Sequence, residues 1–292
     1  MGTNSHIILT NKPKDVTSFR SLGSIKRNVD KKVGHAGTLD KFAHGLMIVL
    51  TGSTTKLNQL FSTLDKTYIA TIRFGSETTT LDPEGEVVET AQIPDLNTIE
   101  QSIKANFLGK VKQTPPSYSA VHIDGKRAYK LARSGKEVDM PEREINIYSF
   151  DILSFNNIDL VCEIRVSKGT YIRSIARDLA LSCNSRGHLV DLVRTSIGPF
   201  TLDQAVNTDT LEDIREGLNK TDDYLKQLDC ISIYQIQDKY LFDLANGKKP
   251  SFDILEPLVE KDGALYAAIY SKDYILRCVL KLEDGSISKI LC

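Results

Sequence analysis

No stretch of the chain approaches the roughly 20 consecutive apolar residues needed to span a bilayer, and the first residues show no charged-then-apolar leader pattern. A cytoplasmic protein without membrane attachment is expected. There is no Cys-x-x-Cys pair either: Cys162, Cys183, Cys230, Cys278 and Cys292 are odd in number and widely spaced, which argues against a zinc site and a disulfide framework and for reduced thiols. His6, His35, His44, His122 and His188 are equally dispersed, none beside a carboxylate at a ligand spacing, so no metal is expected. Charge of one sign is missing as well. A net charge of −1 favours no polyanionic partner and, taken alone, counts against one.

What is present is ordinary globular material: 292 residues, 41% hydrophobic and 26% charged. That length exceeds what one core comfortably fills, so a large domain and a smaller one are expected. The charge is unevenly placed. Between Lys12 and Lys32 lie Lys12, Lys14, Arg20, Lys26, Arg27, Lys31 and Lys32 against only Asp15 and Asp30. From Lys110 to Lys136 seven Lys and Arg residues, among them Lys126, Arg127, Lys130 and Arg133, face the single acid Asp124 and are interleaved with Tyr118, His122 and Tyr129. Cations mixed with rings offer phosphate contacts and stacking platforms to a nucleic acid. Either cluster by itself equally suits a solvated basic face.

One acid stands apart. Asp40 sits within Gly34-His35-Ala36-Gly37-Thr38-Leu39-Asp40-Lys41-Phe42-Ala43-His44-Gly45-Leu46, with three glycines, two histidines and no neighbouring acid, before an apolar run (47–50) that reads as a buried strand. Glycines let the backbone turn left-handed and approach a ligand closely; an acid displayed in such a loop suits chemistry on a bound substrate. It also suits a turn Asp that bonds its own backbone.

Around that loop the pattern predicts a strand from Ile7, a Pro-marked turn and a helix over about 19–28 capped by Thr17 or Ser18. Lys56 falls at the start of a short helix ending near Leu64, where it faces a phosphate or solvent. Residues 67–74 alternate as a strand, with Tyr68 on the apolar face, either a core tyrosine or a residue of the site. A turn at 82–85 and a strand over 86–89 follow, then a helix over 96–107, an extended Pro-Pro segment and an Asp-Gly hairpin running into a helix over 128–133. Strands over 145–155 and 159–167 precede Ser167-Lys168-Gly169-Thr170-Tyr171-Ile172-Arg173, a glycine turn that places Arg173 in the first turn of a helix. Arg173 alone reads more readily as a surface cation or a structural salt-bridge partner. Beyond Leu228 a helix near 238–245 and strands near 264–269, 275–282 and 287–290 make a β-rich module.

Taken in order, the Asp40 loop, Asp65-Lys66-Thr67-Tyr68, Gly169-Thr170-Tyr171-Ile172-Arg173 and Leu192-Val193-Arg194-Thr195 with Gly198-Pro199-Phe200 resemble the TruB family of tRNA pseudouridine synthases. Asn11-Lys12-Pro13 with Thr17-Ser18 and the 115–121 segment agree too, so the resemblance spans 7 to about 205. It implies an α/β fold of the α+β type, with a mixed, mainly antiparallel central sheet flanked by helices and loops. The catalytic domain would cover 1–228, with a basic RNA-binding insertion at about 110–143, and a small PUA-like domain 229–292.

The implied activity is isomerisation of the uridine at position 55 in the T-loop of tRNA to pseudouridine. By the same resemblance Asp40 is the nucleophile, Tyr68 stacks on the base and helps move its proton, and Arg173 pairs with Asp40, lowering its pKa so that it stays ionised. His35, Tyr171, Leu192, Lys12 and Lys56 are expected to hold the substrate, and Lys126, Arg127, Lys130 and Arg133 the RNA backbone. The reaction exchanges no electrons and needs no cofactor; a monomer acting on the T-arm is expected. Departures from the family pattern occur at Asp15, Lys41, His44 and Val193. A catalytically idle tRNA-binding relative, or a synthase acting on another RNA, remains an alternative.

Overall fold

The computed structural model describes residues 5–119, 121–123, 125–133, 139–208, 210–218, 221–284 and 286–291, and the statements below concern these. Its main sheet holds nine strands. Seven lie in the order Ile7–Lys12, His44–Thr51, Gly187–Ile197, Lys66–Phe74, Asp159–Val166, Arg143–Phe155 and Gly109–Gln113, while Val33–His35 pairs with His44–Thr51 and Phe200–Thr201 with the end of Gly187–Ile197. Every pairing is antiparallel except one. His44–Thr51 runs parallel to Gly187–Ile197, with Val193 opposite His44 and Arg194 opposite Gly45. The sheet is thus mixed and mainly antiparallel, as the sequence predicts.

Alternation explains the strand Lys66–Phe74: Tyr68, Ala70, Ile72 and Phe74 are buried and the residues between them are not. Onto that face pack two helices, Leu96–Asn106, whose Asp95 cap accepts from the Thr98 N–H at 2.7 Å, and Ile172–Ser182. Ile99 and Ile103 from the first and Ile175, Ala176 and Leu179 from the second join Ile72, Phe74 and Ile164 in one apolar cluster. Helix 19–28 is in fact two, Ser18–Ser21 and Gly23–Asn28, broken at Leu22. Glycine is a weak helix former, and the break lets Leu22 and Ile25 both bury against Met47 and Val49.

The C-terminal part forms a five-stranded sheet in the order Leu255–Val259, Ile231–Ile236, Tyr266–Tyr270, Leu276–Glu283, Ser286–Ile290. Sequence reading misses its first two strands; Leu255–Val259 contains a proline and is mostly exposed, as suits an edge. One face of this sheet does not stand apart from the main body. Ile231, Ile233 and Val279 share a buried cluster with Ile7, Leu9 and Leu46, within which Phe200 lies 6.1 Å from Phe61 and 5.7 Å from Tyr224 between ring centroids. Among the described residues no helix is long and apolar enough to cross a membrane.

Candidate active site

Asp40 is held by its neighbours. The buried hydroxyl of Ser18 both donates to the Leu39 carbonyl and accepts from the Leu39 N–H, each at 2.9 Å. On the other side Lys12 Nζ reaches the carbonyl of Lys41 at 3.3 Å and those of Pro13 and Val16 at 2.9 and 2.5 Å. Arg194 ties the two ends of the loop, donating from Nη2 to the Gly37 carbonyl at 3.1 Å and from Nε to the Leu46 carbonyl at 2.7 Å. The backbone can do this because Gly37 and Gly45 take φ of +102° and +106°. A loop pinned at four points presents one carboxylate in a fixed direction.

Arg173 meets it. Its Nη2 donates to Asp40 Oδ1 at 3.1 Å, and Nε lies 2.9 Å from Oδ2 in ion-pair contact. Arg173 is 4% exposed, and its remaining donors go to the Thr80 carbonyl at 2.9 Å, the Tyr118 carbonyl at 3.0 Å and Asp82 Oδ2 at 3.3 Å. Asp82 is the member of this constellation that sequence reasoning passed over as part of a turn. It is itself buried, accepting from the Thr80 hydroxyl at 2.5 Å and the Glu84 N–H at 3.0 Å. One guanidinium therefore serves two carboxylates.

Burial reverses the net shift that was expected of Asp40. The Asp40 pKa is raised, not lowered: burial is the largest influence, Arg173 opposes it, and Asp82 and then Glu84 act in the same sense as burial. The arginine lowers the pKa as expected but offsets only part of the effect of burial.

A cleft of roughly 460 Å³ opens over the pair, walled by Asp40, Tyr68, Tyr171, Arg173 and Leu192 among others. The volume suits a nucleoside. Tyr68 and Leu192 are buried beneath its floor, on neighbouring antiparallel strands. Tyr171 caps the helix that carries Arg173; its N–H donates to Gln113 Oε1 at 2.9 Å and its carbonyl accepts from Gln113 Nε2 at 3.1 Å, which locks it to the edge strand. Five of the expected site residues thus converge.

Others are placed differently. Lys12 is fully buried and its three N–H groups are engaged by carbonyls, so it positions the Asp40 loop and has no donor for a substrate; burial lowers its pKa to about 8. Lys56 is exposed on the turn Gly52–Leu57 and does not line the cleft. His35 also lies outside the cleft wall, half-buried at the end of Val33–His35, where burial and then the Arg194 charge lower its pKa and keep it neutral at physiological pH. The side chains of Lys126, Arg127, Lys130 and Arg133 lie outside the described ones; their backbone forms the hairpin His122–Ile123 and Lys126–Arg127 and the helix Ala128–Arg133.

Three of the four departures have local counterparts in the structure; nothing among the described residues accounts for that at Val193. Lys41 pairs with Glu84 at 2.7 Å, linking the Asp40 loop to the turn that holds Asp82, and His44 lies 3.5 Å from Asp191, which also binds Lys14 at 2.6 Å. Asp15 has a φ of +62°, a conformation that glycine adopts freely. Among the described residues no three His, Cys, Asp or Glu side chains gather as metal ligands would.

A carboxylate and guanidinium at a nucleoside-sized cleft, on a mixed and mainly antiparallel sheet, define a pseudouridine synthase fold. The chain overlays a solved H/ACA RNP bound to a substrate RNA containing 2′-deoxyuridine with a TM-score of 0.70 and 20% identity, covering 99% of this chain and 86% of that one. A Cbf5-Nop10-Gar1 complex gives 0.70 and 22%, covering 98% and 85%. Residues 26–172 match the TruB family pseudouridylate synthase N-terminal domain. The tRNA pseudouridine synthase B of Borreliella burgdorferi (strain ZS7) is 49% identical over 199 residues, 67% of this chain and 70% of that protein; the protein of the same name from Treponema denticola is 39% identical over 271 residues, 85% and 72%. The chain belongs to the TruB family of pseudouridylate synthases.

Proposed function

We infer that this protein isomerises uridine 55 in the T-loop of tRNA to pseudouridine. The observation that carries the reading is the pinned Asp40 carboxylate, 2.9 and 3.1 Å from the nitrogens of a buried arginine and open to the cleft. Isomerisation requires the N-glycosidic bond to break, the freed base to turn while held, and a carbon–carbon bond to form. A carboxylate at the ribose can attack the anomeric carbon or remove a ribose proton, and both routes need it ionised. Arg173 supplies the opposing charge.

The target base has to leave its stack, at a cost of a few kcal/mol. Tyr68 offers a ring that recovers part of this and a hydroxyl for proton movement, while Leu192 and Tyr171 bound the base on its other sides. The basic hairpin and helix after the Pro-Pro segment are read as the arm that grips the T-arm backbone, and the C-terminal sheet as a PUA-like RNA-binding module. The protein is read as a cytoplasmic monomer.

The test is release of tritium from a T-arm stem-loop carrying C5-labelled uridine. Release with the wild-type protein supports the assignment; tight binding of the stem-loop without release would return the chain to a tRNA-binding role. Release only from a different RNA would change the substrate and keep the chemistry.

A further inference from the structure

The cleft is more positive than its chemistry requires. Four cations line it, Lys66, Arg143, Arg173 and Arg194, against the single carboxylate of Asp40. Arg173 is matched by Asp40 and Asp82. The other three make no ion pair with a carboxylate among the described residues. Asp65, the acid next to Lys66, is bound by Arg165 at 2.5 Å instead.

Their hydrogen bonds are also incomplete. Lys66 is buried and gives two N–H groups to the carbonyls of Ser62, at 2.8 Å, and Leu64, leaving a third. Arg194 is 1% exposed and commits Nε and Nη2 to loop carbonyls, while Nη1 has no acceptor among the described residues. Arg143 lies with its guanidinium 4.6 Å from the Tyr171 ring centroid, and its Nε and Nη2 are buried without an acceptor. Ser119 adds a buried hydroxyl at the same cleft, also without a partner. The buried, unmet donors of Arg143 are costly unless something arrives to meet them, and the spare donors of Lys66 and Arg194 are free to meet it too. Burial, followed by the Arg194 charge, lowers the Lys66 pKa to about 8, with the charge of Asp65 only partly opposing them.

We propose that Arg143, Lys66 and Arg194 form a phosphate subsite inside the cleft, which holds a phosphodiester of the everted nucleotide rather than the outer RNA backbone. This rests on the reading that RNA enters the cleft, and it adds a role for residues to which the sequence motifs assign none. A guanidinium held over the Tyr171 ring has donors left to offer an anion and braces the tyrosine against the base. The subsite thereby fixes the sugar that Asp40 must reach. Lys66 and Arg194 flank Tyr68 along the same strands, since Arg194 pairs with Tyr68 in register and Lys66 lies two residues before it.

The decisive measurement leaves the protein intact. Stem-loop RNAs with one neutral methylphosphonate, placed in turn at the linkages on either side of the target uridine, are titrated against wild-type protein. Loss of about tenfold in affinity at one of these linkages is expected, the worth of a charged hydrogen bond; unchanged affinity at both overturns the proposal. Arg143→Gln should weaken the unmodified RNA about tenfold and flatten the salt dependence of binding by about one phosphate contact, and should add nothing further on the sensitive methylphosphonate RNA, while Arg143→Lys restores part of the loss. Additive losses would place Arg143 elsewhere. Inorganic phosphate at constant ionic strength should compete no better than chloride; competition specific to phosphate and lost in Arg143→Gln would assign the site to free phosphate and overturn the RNA assignment. Tritium release is scored separately, so an inactive protein whose binding still depends on that linkage refutes the isomerase reading alone.

Discussion

Asp82 Oδ2 lies 3.3 Å from Nη1 of Arg173, on the side of the guanidinium away from Asp40. The buried acid fixes the arginine in place and at the same time divides its charge. Asp40 is left in a site where burial dominates and its pKa is raised. A carboxylate that is less comfortably ionised is also a stronger base, which suits attack on a sugar or removal of its proton alike.

Replacing Asp40 by Asn should abolish tritium release while leaving RNA affinity within a few-fold, and unchanged turnover would end its assignment as nucleophile. The same variant has a stability signature. Because the folded-state pKa of Asp40 is above the ordinary value of 3.8, the ionised carboxylate costs folding free energy; the cost is absent below the unfolded pKa, grows as pH rises from there to the folded one and is complete above it. Asn carries no such charge. Asp40→Asn should therefore melt higher than wild type at pH 7, by roughly 1–3 °C, and the gap should close on acidification below about pH 4. Calorimetry at the two pH values measures it.

Asp82→Asn tests the shared arginine. Asp82 raises the Asp40 pKa, so its neutralisation should move the acid limb of the kcat/KM profile to lower pH. Arg173 keeps the Thr80 and Tyr118 carbonyls but loses its charged anchor, and kcat should fall by about tenfold or more. A fall in kcat with an unmoved acid limb would show that Asp82 acts on the position of Arg173 and not on the charge of Asp40.

Tyr68→Phe removes a hydroxyl from the cleft and leaves the ring. Turnover should drop about 100-fold, the lower range for a lost proton-transfer group, while RNA binding changes little. Wild-type rates would return Tyr68 to the hydrophobic core, whose residues surround it.

Much of this site was legible because its residues lie in sequence patterns with local meaning. The alternation over 67–74 put Tyr68 on the buried face, and a glycine turn before a helix put Arg173 in its first turn, as found. Asp82 was not legible, since nothing local in a turn acid reveals a guanidinium 91 residues away. Lys12 was misread for a related reason: a lysine beside a proline turn looks like an exposed cation, and only the tertiary arrangement brings three carbonyls around its ammonium. The merging of the C-terminal sheet with the core of Ile7 and Leu9 was hidden in the same way, because its strands read equally as a free module.

Lys12→Met should act through the loop and not through RNA affinity. Unmet carbonyls at Pro13, Val16 and Lys41 should cost about 1–3 kcal/mol, seen as a lower melting temperature. Since the folded-state pKa of Lys12 is about 8, below the ordinary lysine value of 10.5, the native state releases this proton first, and wild-type stability gains from Lys12 as pH rises from about 8 towards 10.5. The variant should lack that increment. An unchanged alkaline profile, or a salt-dependent loss of RNA binding with normal stability, would restore Lys12 to the RNA interface.

Gly45→Ala tests the junction on which the loop depends. At the parallel bridge between His44–Thr51 and Gly187–Ile197, Gly45 has a φ of +106°, and an added Cβ would fall 2.5 Å from the Arg194 carbonyl oxygen and 2.8 Å from its nitrogen. Both atoms are backbone, so neither can swing aside, and an alanine is strained at that φ even without a neighbour. The strands would have to part where Arg194 ties Gly37 to Leu46. A destabilisation above about 3 kcal/mol is expected, with urea unfolding as the measure and activity lost in proportion to the native fraction. Gly34→Ala is the control in the same loop: its Cβ would meet nothing within 4 Å, and it should unfold at close to the wild-type midpoint. Equal midpoints for the two variants would mean that the bridge at Gly45 does not hold the Asp40 loop in place.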